Sequence, residues 1–448
     1  MPRKSFNLLL NSKISPFNKL IKVDSDKSIS IRSFLISSIS QNISSAKNVL
    51  ESDDVLSTIN CLKKLGVKIV KKKPGEYFIF GKGLGSFVAK KNVELNFGNS
   101  GTLARLLIGI LSTTPNIDLK VRGDHSLNKR SMKKLIQLMS EFGATFLPKK
   151  KFNFPLKIIS TDLPIGITYN AGVSAQLKSA VIFAGLNSYG NTKIIERQAS
   201  RDHTENMLLE NTAALKISKK KNRIINIFGK KHLNTIKIDV PGDPSSAAFY
   251  SALTLLNNKS SIKIKGVGLN QTRIGFYKIL RRHGAKIVFK NLKKKNNELI
   301  GDILVKNSVL RPIKVEKKYY VNSTDEYPIL FVIAGLTKGK SIFKGIGDLA
   351  NKESNRIKEM QNILKQIGVK SKFSKNNLII HGKEKNSFKK KKITVKNLGD
   401  HRICMSSFVL SIIIGAKTRI KNFETVNTSS PSFLKIMKKI GAKFEKYR

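Results

Sequence analysis

Apolar and polar positions along the chain repeat one pattern. Five times a segment of helical period ends in an apolar residue, then Gly, then Ala or Val, then a β-type run. The instances are Leu65-Gly66-Val67, Phe142-Gly143-Ala144, His283-Gly284-Ala285, Ile367-Gly368-Val369 and Ile440-Gly441-Ala442, with His283 the one polar lead. A glycine just past a helix end takes positive φ without a Cβ clash, so each marks a helix stop. Successive glycines lie 77, 141, 84 and 73 residues apart, and a degenerate copy, Ala213-Ala214-Leu215-Lys216-Ile217, falls in the wide gap. Six units of roughly 75 residues follow, three before residue 240 and three after, too long for solenoid repeats. Each mixes strand-like runs with one or two helices, as in Ile262-Lys263-Ile264 followed by Arg273 to Arg282. The expectation is an α/β protein of two domains with three units each.

Length agrees, because 448 residues exceed one ordinary core. The longest uncharged apolar run, Cys404 to Ala416, is interrupted by serines and is shorter than the ~18 residues of a membrane span. The stretch Leu8-Leu9-Leu10 is too short for a secretory signal. Cys61 and Cys404 suggest neither a disulfide scaffold nor a metal cluster, and His125 and His203 lack metal-ligand spacing. No metal or cofactor is expected, and a reducing, cytoplasmic setting is.

Charge adds a question. Lys and Arg number 84 against 29 Asp and Glu, a formal +55. Such an excess suits a polyanionic partner, anionic substrates, or simply lysines on solvated faces. The runs Lys71–Lys73, Lys149–Lys151, Lys219–Lys221, Lys293–Lys295 and Lys389–Lys392 are scattered and poor in aromatics, and the chain has no Trp. Stacking platforms for single strands need interleaved aromatics. Solvated faces are favoured.

Candidate chemistry gathers at helix starts. Asp26-Lys27-Ser28-Ile29-Ser30-Ile31-Arg32 puts Ser28 and Arg32 at i, i+4, either an anion site or an N-cap with a solvated arginine. Phe97 to Arg105 reads as strand, turn and helix start, either an anion cradle or an ordinary cap. Ser174 to Ser179 and Ser200 to Glu205 open two more helices, Asp202 and Glu205 being readable as a capping pair. Pro241 to Ala248 reads as a crossover between domains. On a helix, Lys352, Glu353 and Arg356 would share one patch, either a proton-carrying carboxylate between cations or a surface ion-pair ladder. Asp325-Glu326 and Asp400-His401-Arg402 each precede an apolar helix.

The order and wording of these segments resemble the 5-enolpyruvylshikimate-3-phosphate synthase family across nearly the whole chain. The resemblance rests on Asp26 to Arg32, Asn99 to Arg105, Asp124 to Met132, Ser174 to Ser179, Ser200 to Glu205, Asp325 to Pro328, Lys352 to Arg356 and Asp400 to Ile403. Departures are Ser131 for a proline, Asn355 for an aspartate, and the stretch Thr428-Ser429-Ser430-Pro431-Ser432-Phe433, which has serines where an aromatic and an acidic residue are common.

The resemblance implies an inside-out α/β barrel pair, each domain built of three β-α-β-α-β-β units. Residues 23–240 would form the first domain, inserted between 1–22 and 241–448, with the active site in the interdomain cleft. The implied reaction joins the enolpyruvyl group of phosphoenolpyruvate to the 5-hydroxyl of shikimate 3-phosphate and releases phosphate, by addition then elimination. By motif position, Lys27, Ser28, Arg32, Ser174, Gln176, Arg201, Asp325 and Lys352 would bind shikimate 3-phosphate. Lys27, Gly101, Arg130, Gln176, Arg356 and Arg402 would bind phosphoenolpyruvate. Lys27, Asp325 and Glu353 would be catalytic, Asp325 taking the hydroxyl proton and Glu353 moving the vinyl proton. Partners would be these two small molecules, with no membrane, nucleic acid bound only unspecifically through charge, and a monomeric chain. Two other readings stand beside it: a transferase acting on a UDP-amino sugar, whose loop cysteine has no counterpart here, and a nucleic-acid-binding protein using the charge.

Overall fold

Six four-stranded sheets recur with one strand order in the computed structural model, which describes residues 5–90, 92–219, 221–388 and 391–448. Across each sheet, the first two strands run parallel and the second pairs antiparallel with the third. The sheet of Glu94–Asn96, Asp118–Arg122, Leu156–Ile159 and Thr145–Leu147 shows the β-α-β-α-β-β repeat in chain order, with Gly101–Leu111 and Lys133–Glu141 among its helices. The five repeat glycines, Gly66, Gly143, Gly284, Gly368 and Gly441, all have positive φ, between 80° and 113°. The helix-stop expectation is borne out at each.

The chain divides into two compact units, one of residues 25–240 with 294–298, the other of 1–24, 241–293 and 299–448. Connectivity at the crossings is a swap. Strand Asn18–Ile21 pairs with Ser261–Gly268, yet the helix that follows it, Lys27–Ile39, leads into Ile43–Lys47. Strand Lys237–Asp239 pairs with Ile43–Lys47, yet its following helix, Pro244–Leu256, leads into Ser261–Gly268. Each unit therefore completes its first repeat with a strand from a distant part of the sequence.

Each unit has its own apolar core. Helices Pro244–Leu256, Tyr327–Gly335 and His401–Ile414 are buried along their whole length, which is why they are apolar on every side. Their serines are accommodated by bonding back one turn, as Ser251 Oγ does to the Ala247 carbonyl at 2.8 Å and Ser411 Oγ to that of Ser407 at 2.6 Å. The run from Cys404 is thus core helix, and no helix among the described residues is long and apolar enough to cross a membrane. Phe408 packs against Phe423, Phe433 and Phe444; truncating such a ring to Ala costs about 3–5 kcal/mol.

The lysine runs lie on the surface: Lys71–Lys73 and Lys293–Lys295 are exposed throughout. Lys220, Lys389 and Lys390 fall outside the described residues.

Candidate active site

In the unit containing residues 25–240, three helix starts converge. Asp26 caps the helix Lys27–Ile39, its carboxylate accepting from Ile29 N–H at 2.9 Å. Arg32, one turn in, is 2% exposed. Its Nη1 donates to the carbonyl and hydroxyl of Ser28, its Nε to Thr204 Oγ1 at 2.7 Å, and its Nη2 to Ser179 Oγ at 3.2 Å. The solvated-arginine reading is therefore wrong; a hydroxyl cage holds the guanidinium. Lys27 Nζ lies 2.8 Å from Asp54 Oδ2.

Ser174 caps the helix Ala175–Asn187, accepting from Leu177 N–H at 3.3 Å. Gln176 ties this helix to its neighbour Gly101–Leu111: its Oε1 accepts from Arg105 Nη1 at 2.8 Å and its Nε2 donates to Thr102 Oγ1 at 3.0 Å. Arg105 Nη1 also donates to the Gly101 carbonyl at 3.1 Å. A Cβ at residue 101 would stand 2.7 Å from Arg105 Nη1 and 3.2 Å from Arg130 Nη1, so a larger residue would push the two guanidinium groups from these positions. Arg130 Nη2 donates to Asn99 Oδ1 and to Ser126 Oγ, and Asn99 Nδ2 to Asp124 Oδ2 at 2.8 Å. The structure thus gathers Gly101, Arg130, Gln176 and Ser174, and adds Arg105, which closed a motif without being given a role. Arg201 is partly buried on the loop before the helix His203–Leu209.

A closed charge network lies within the same unit. Lys178, fully buried, sits 3.0 Å from Glu196 and 2.7 Å from Glu205, and Arg223 pairs with both carboxylates. Burial pushes the Glu196 carboxyl up, but Lys178 and hydrogen bonds from Ser200 outweigh it and hold it below its usual range. Glu205 is thereby taken from the capping pair, and Asp202 makes no side-chain cap bond. His203 Nδ1 lies 2.7 Å from Glu298 Oε1.

The other unit brings Asp325, Glu353 and Arg356 together but corrects the helical patch. Lys352 to Ser354 are not helical; the helix Arg356–Gln366 begins after Asn355, whose side chain caps it by accepting from Lys358 N–H at 3.1 Å. Asn355 thus does the capping work its oxygen allows, whatever the charge lost. Lys352 consequently turns to Asp348, at 2.6 Å, and not to Arg356.

Arg356 is 1% exposed and faces three carboxylates: Asp400 Oδ2 at 2.9 Å from Nε, Glu353 Oε2 at 2.6 Å from Nη2, and Asp325 Oδ1 at 3.6 Å from Nη1. Burial disfavours its charge, but Asp400, Glu353 and Asp325 more than restore it, keeping the guanidinium protonated. Asp400 also caps the helix His401–Ile414 by accepting from Arg402 N–H at 2.9 Å. The Arg402 guanidinium, 5.9 Å over the Phe249 ring, keeps Nε and Nη1 buried with no hydrogen-bond partner. Buried unsatisfied donors cost about 1–3 kcal/mol each, a cost that an oxyanion bound there would remove.

Both cysteines are buried on helices, Cys61 in Asp53–Lys64 and Cys404 in His401–Ile414. Burial pushes the Cys61 thiol up to about 12 and the Cys404 thiol higher still. Neither is a nucleophile. Among the described residues no group of three His, Cys, Asp or Glu side chains is arranged to hold a metal ion.

The family profile described as EPSP synthase (3-phosphoshikimate 1-carboxyvinyltransferase) matches residues 12–437. The chain is 36% identical over 438 residues to the 3-phosphoshikimate 1-carboxyvinyltransferase of Paramagnetospirillum magneticum, covering 97% of both chains. It is 37% identical to that of Zymomonas mobilis, covering 98% of this chain and 97% of the other. Its structure is similar to EPSP synthase from Acinetobacter baumannii, with TM-score 0.84 and 32% identity over 99% of this chain and 100% of that one. The enolpyruvyl transferase NikO from Streptomyces tendae, at 11% identity and TM-score 0.74 over 99% of each chain, shares the fold.

Proposed function

The chain belongs to the EPSP synthase family, and we propose that the two clusters described above divide the family's reaction between them. The reaction transfers the enolpyruvyl group of phosphoenolpyruvate to shikimate 3-phosphate and releases phosphate. Lys27, Ser28, Arg32, Ser174, Gln176, Arg201 and, from the other unit, Asp325 and Lys352 bind shikimate 3-phosphate. Lys27, Gly101, Arg130, Gln176, Arg356 and Arg402 bind phosphoenolpyruvate, with Arg105 fixing Gln176 and Gly101 for the task.

Four anionic groups enter such a site, and helix N-termini with arginines are suited to hold them in place. Asp325 takes the proton of the attacking hydroxyl, and Glu353 delivers a proton to the vinyl carbon, making its neighbour electrophilic; phosphate then leaves the tetrahedral adduct as Glu353 takes a methyl proton back, which restores the vinyl group. Glu353 begins bound to Arg356 Nη2. An anion arriving at Arg356 competes for that nitrogen and weakens the cation's hold on Glu353, which favours the protonated carboxyl that an acid needs.

The observation that carries the assignment is Arg402, whose buried Nε and Nη1 lack a hydrogen-bond partner among the described residues. The exposed runs Lys71–Lys73 and Lys293–Lys295 suit contact with nucleic acid only through unspecific charge, and the reading takes the chain as a monomer acting in the cytoplasm. A phosphate-release assay tests the assignment: release is expected with shikimate 3-phosphate and none with a UDP-amino sugar. Unimpaired release by Arg402→Ala at low phosphoenolpyruvate would remove Arg402 from the site.

A further inference from the structure

We propose that a polar cavity of about 570 Å³ in the unit of residues 25–240 is a second ligand site, one that takes a small oligoanionic metabolite away from the reacting groups. Gln41, Asn42, Lys82, Asn187, Lys230 and His232 supply its polar lining, and none of its lining residues is Asp or Glu. It lies where the helices Lys27–Ile39 and Ala175–Asn187 end, whereas the motif residues stand where they begin. Each helix has 13 residues, so about 20 Å separates the cavity from the anion cluster.

Lysines at helix C-termini have an ordinary explanation, pairing with the last carbonyls. Here backbone groups already fill that role. Lys82 N–H donates to the Ser38 carbonyl at 2.9 Å, Gly83 N–H to that of Ser40 at 3.0 Å, and Lys230 N–H to that of Leu186 at 2.9 Å. A Cβ at residue 81 would stand 2.1 Å from the Ser40 carbonyl oxygen, so the Gly81 loop must seat itself this tightly against the helix end.

The Lys230 ammonium is held by uncharged partners. Its Nζ donates to Asn187 Oδ1 at 3.2 Å and lies 4.6 Å from the Tyr189 ring. Asn187 is 4% exposed, and its own Nδ2 donates to the Thr113 carbonyl, which fixes the acceptor. Lys230 is itself an exposed side chain, and its contacts with Asn187 and Tyr189 fix where its ammonium sits. It is positioned in a concave wall opposite further donors, with its charge uncompensated by any carboxylate in the lining. A multiply charged oxyanion matches that arrangement.

Hydrogen exchange with mass spectrometry locates binding, using inorganic pyrophosphate and, separately, citrate as probes in the presence of saturating shikimate 3-phosphate. Amides of 81–86 and 229–233 should exchange at least threefold more slowly, saturably, with one or both probes. Phosphate alone as the matched chemistry would show with pyrophosphate only. Lys82→Gln/Lys230→Gln should abolish this protection and leave turnover unchanged; should the pair not fold, Lys230→Gln alone should weaken it tenfold. Absence of protection in the unaltered protein, or its persistence in these variants, overturns the proposal.

Discussion

Arg356 Nε and Asp400 Oδ2 lie 2.9 Å apart, with both side chains closed to solvent. Asp400 reaches across 44 residues of sequence to do this while also capping the helix that carries Arg402. One carboxylate therefore orients one arginine through its side chain and the next through its backbone. The two arginines differ in what they leave behind when removed.

Arg356→Ala should damage both folding and catalysis. It strands Asp400 as a buried unpaired charge, a loss on the order of 3–5 kcal/mol. Arg402→Ala should leave stability within about 1 kcal/mol of the parent, since it deletes donors that have no partner to lose. Both should raise the KM for phosphoenolpyruvate far more than that for shikimate 3-phosphate. Urea unfolding beside steady-state kinetics separates the two effects; equal destabilisation by both substitutions would contradict the difference in pairing.

Asp325→Asn should spare binding and stop chemistry. The Asp325 side chain is partly exposed, its 3.6 Å contact is the longest of the three ion pairs of Arg356, and Asn keeps its shape. Turnover is expected to fall at least ~10²-fold, the scale of general-base loss. Calorimetric titration should show near-normal affinity for both substrates, and turnover like that of the parent would exclude Asp325 as the base.

The thiols should be inert. Cys61 and Cys404 are protonated at neutral pH because burial raises both, and neither reaches solvent. Native protein at pH 8 should resist a disulfide-exchange reagent for hours and keep full activity, whereas both thiols should react on unfolding. Rapid loss of activity with one equivalent bound would refute this.

Much of the fold was legible because its punctuation is local. A glycine at a helix stop needs no knowledge of the partner sheet, so Gly66 to Gly441 announced the repeat. The crossings near residues 22 and 240 were implied by the resemblance, but the strand exchange there was not legible, because pairing of Asn18–Ile21 with Ser261–Gly268 depends on contacts across some 240 residues. In the site, the ordered motifs carried most residues. Lys352 was misplaced because i, i+4 spacing was applied across residues that are not helical; the Asn355 N-cap was the available sign of where the helix begins. Arg32 looked equally able to be solvated because its partners, Ser179 and Thr204, belong to two other motifs. Arg105 was passed over for the same reason, its acceptor on Gln176 being 71 residues away.

The two carboxylates Glu196 and Asp24 should respond to pH with opposite sign. Burial raises Glu196, but Lys178 and Ser200 bring it below its ordinary 4.5 in the folded chain. Its contribution is therefore full above pH 4.5 and lost as pH falls through the lower folded value. Glu196→Gln should cost about 3 kcal/mol at pH 7 by breaking the buried network, with the gap from the parent narrowing towards pH 3. Asp24 is raised above its ordinary 3.8 chiefly by burial, despite hydrogen bonds from Ser430 Oγ and Ser432 N–H, and Asp243 adds a like charge. A raised folded value means its contribution is full below pH 3.8 and lost as pH rises through that folded value. Asp24→Asn keeps an oxygen for both donors and removes the buried charge. It should thus be more stable than the parent at pH 7, with the gain fading as pH falls through the raised folded value and gone below pH 3.8. Urea midpoints for the two variants and the parent at pH 7 and pH 3.5 give four differences. A destabilised Asp24→Asn at pH 7 would show that Ser430 and Ser432 stabilise the charge more than burial penalises it.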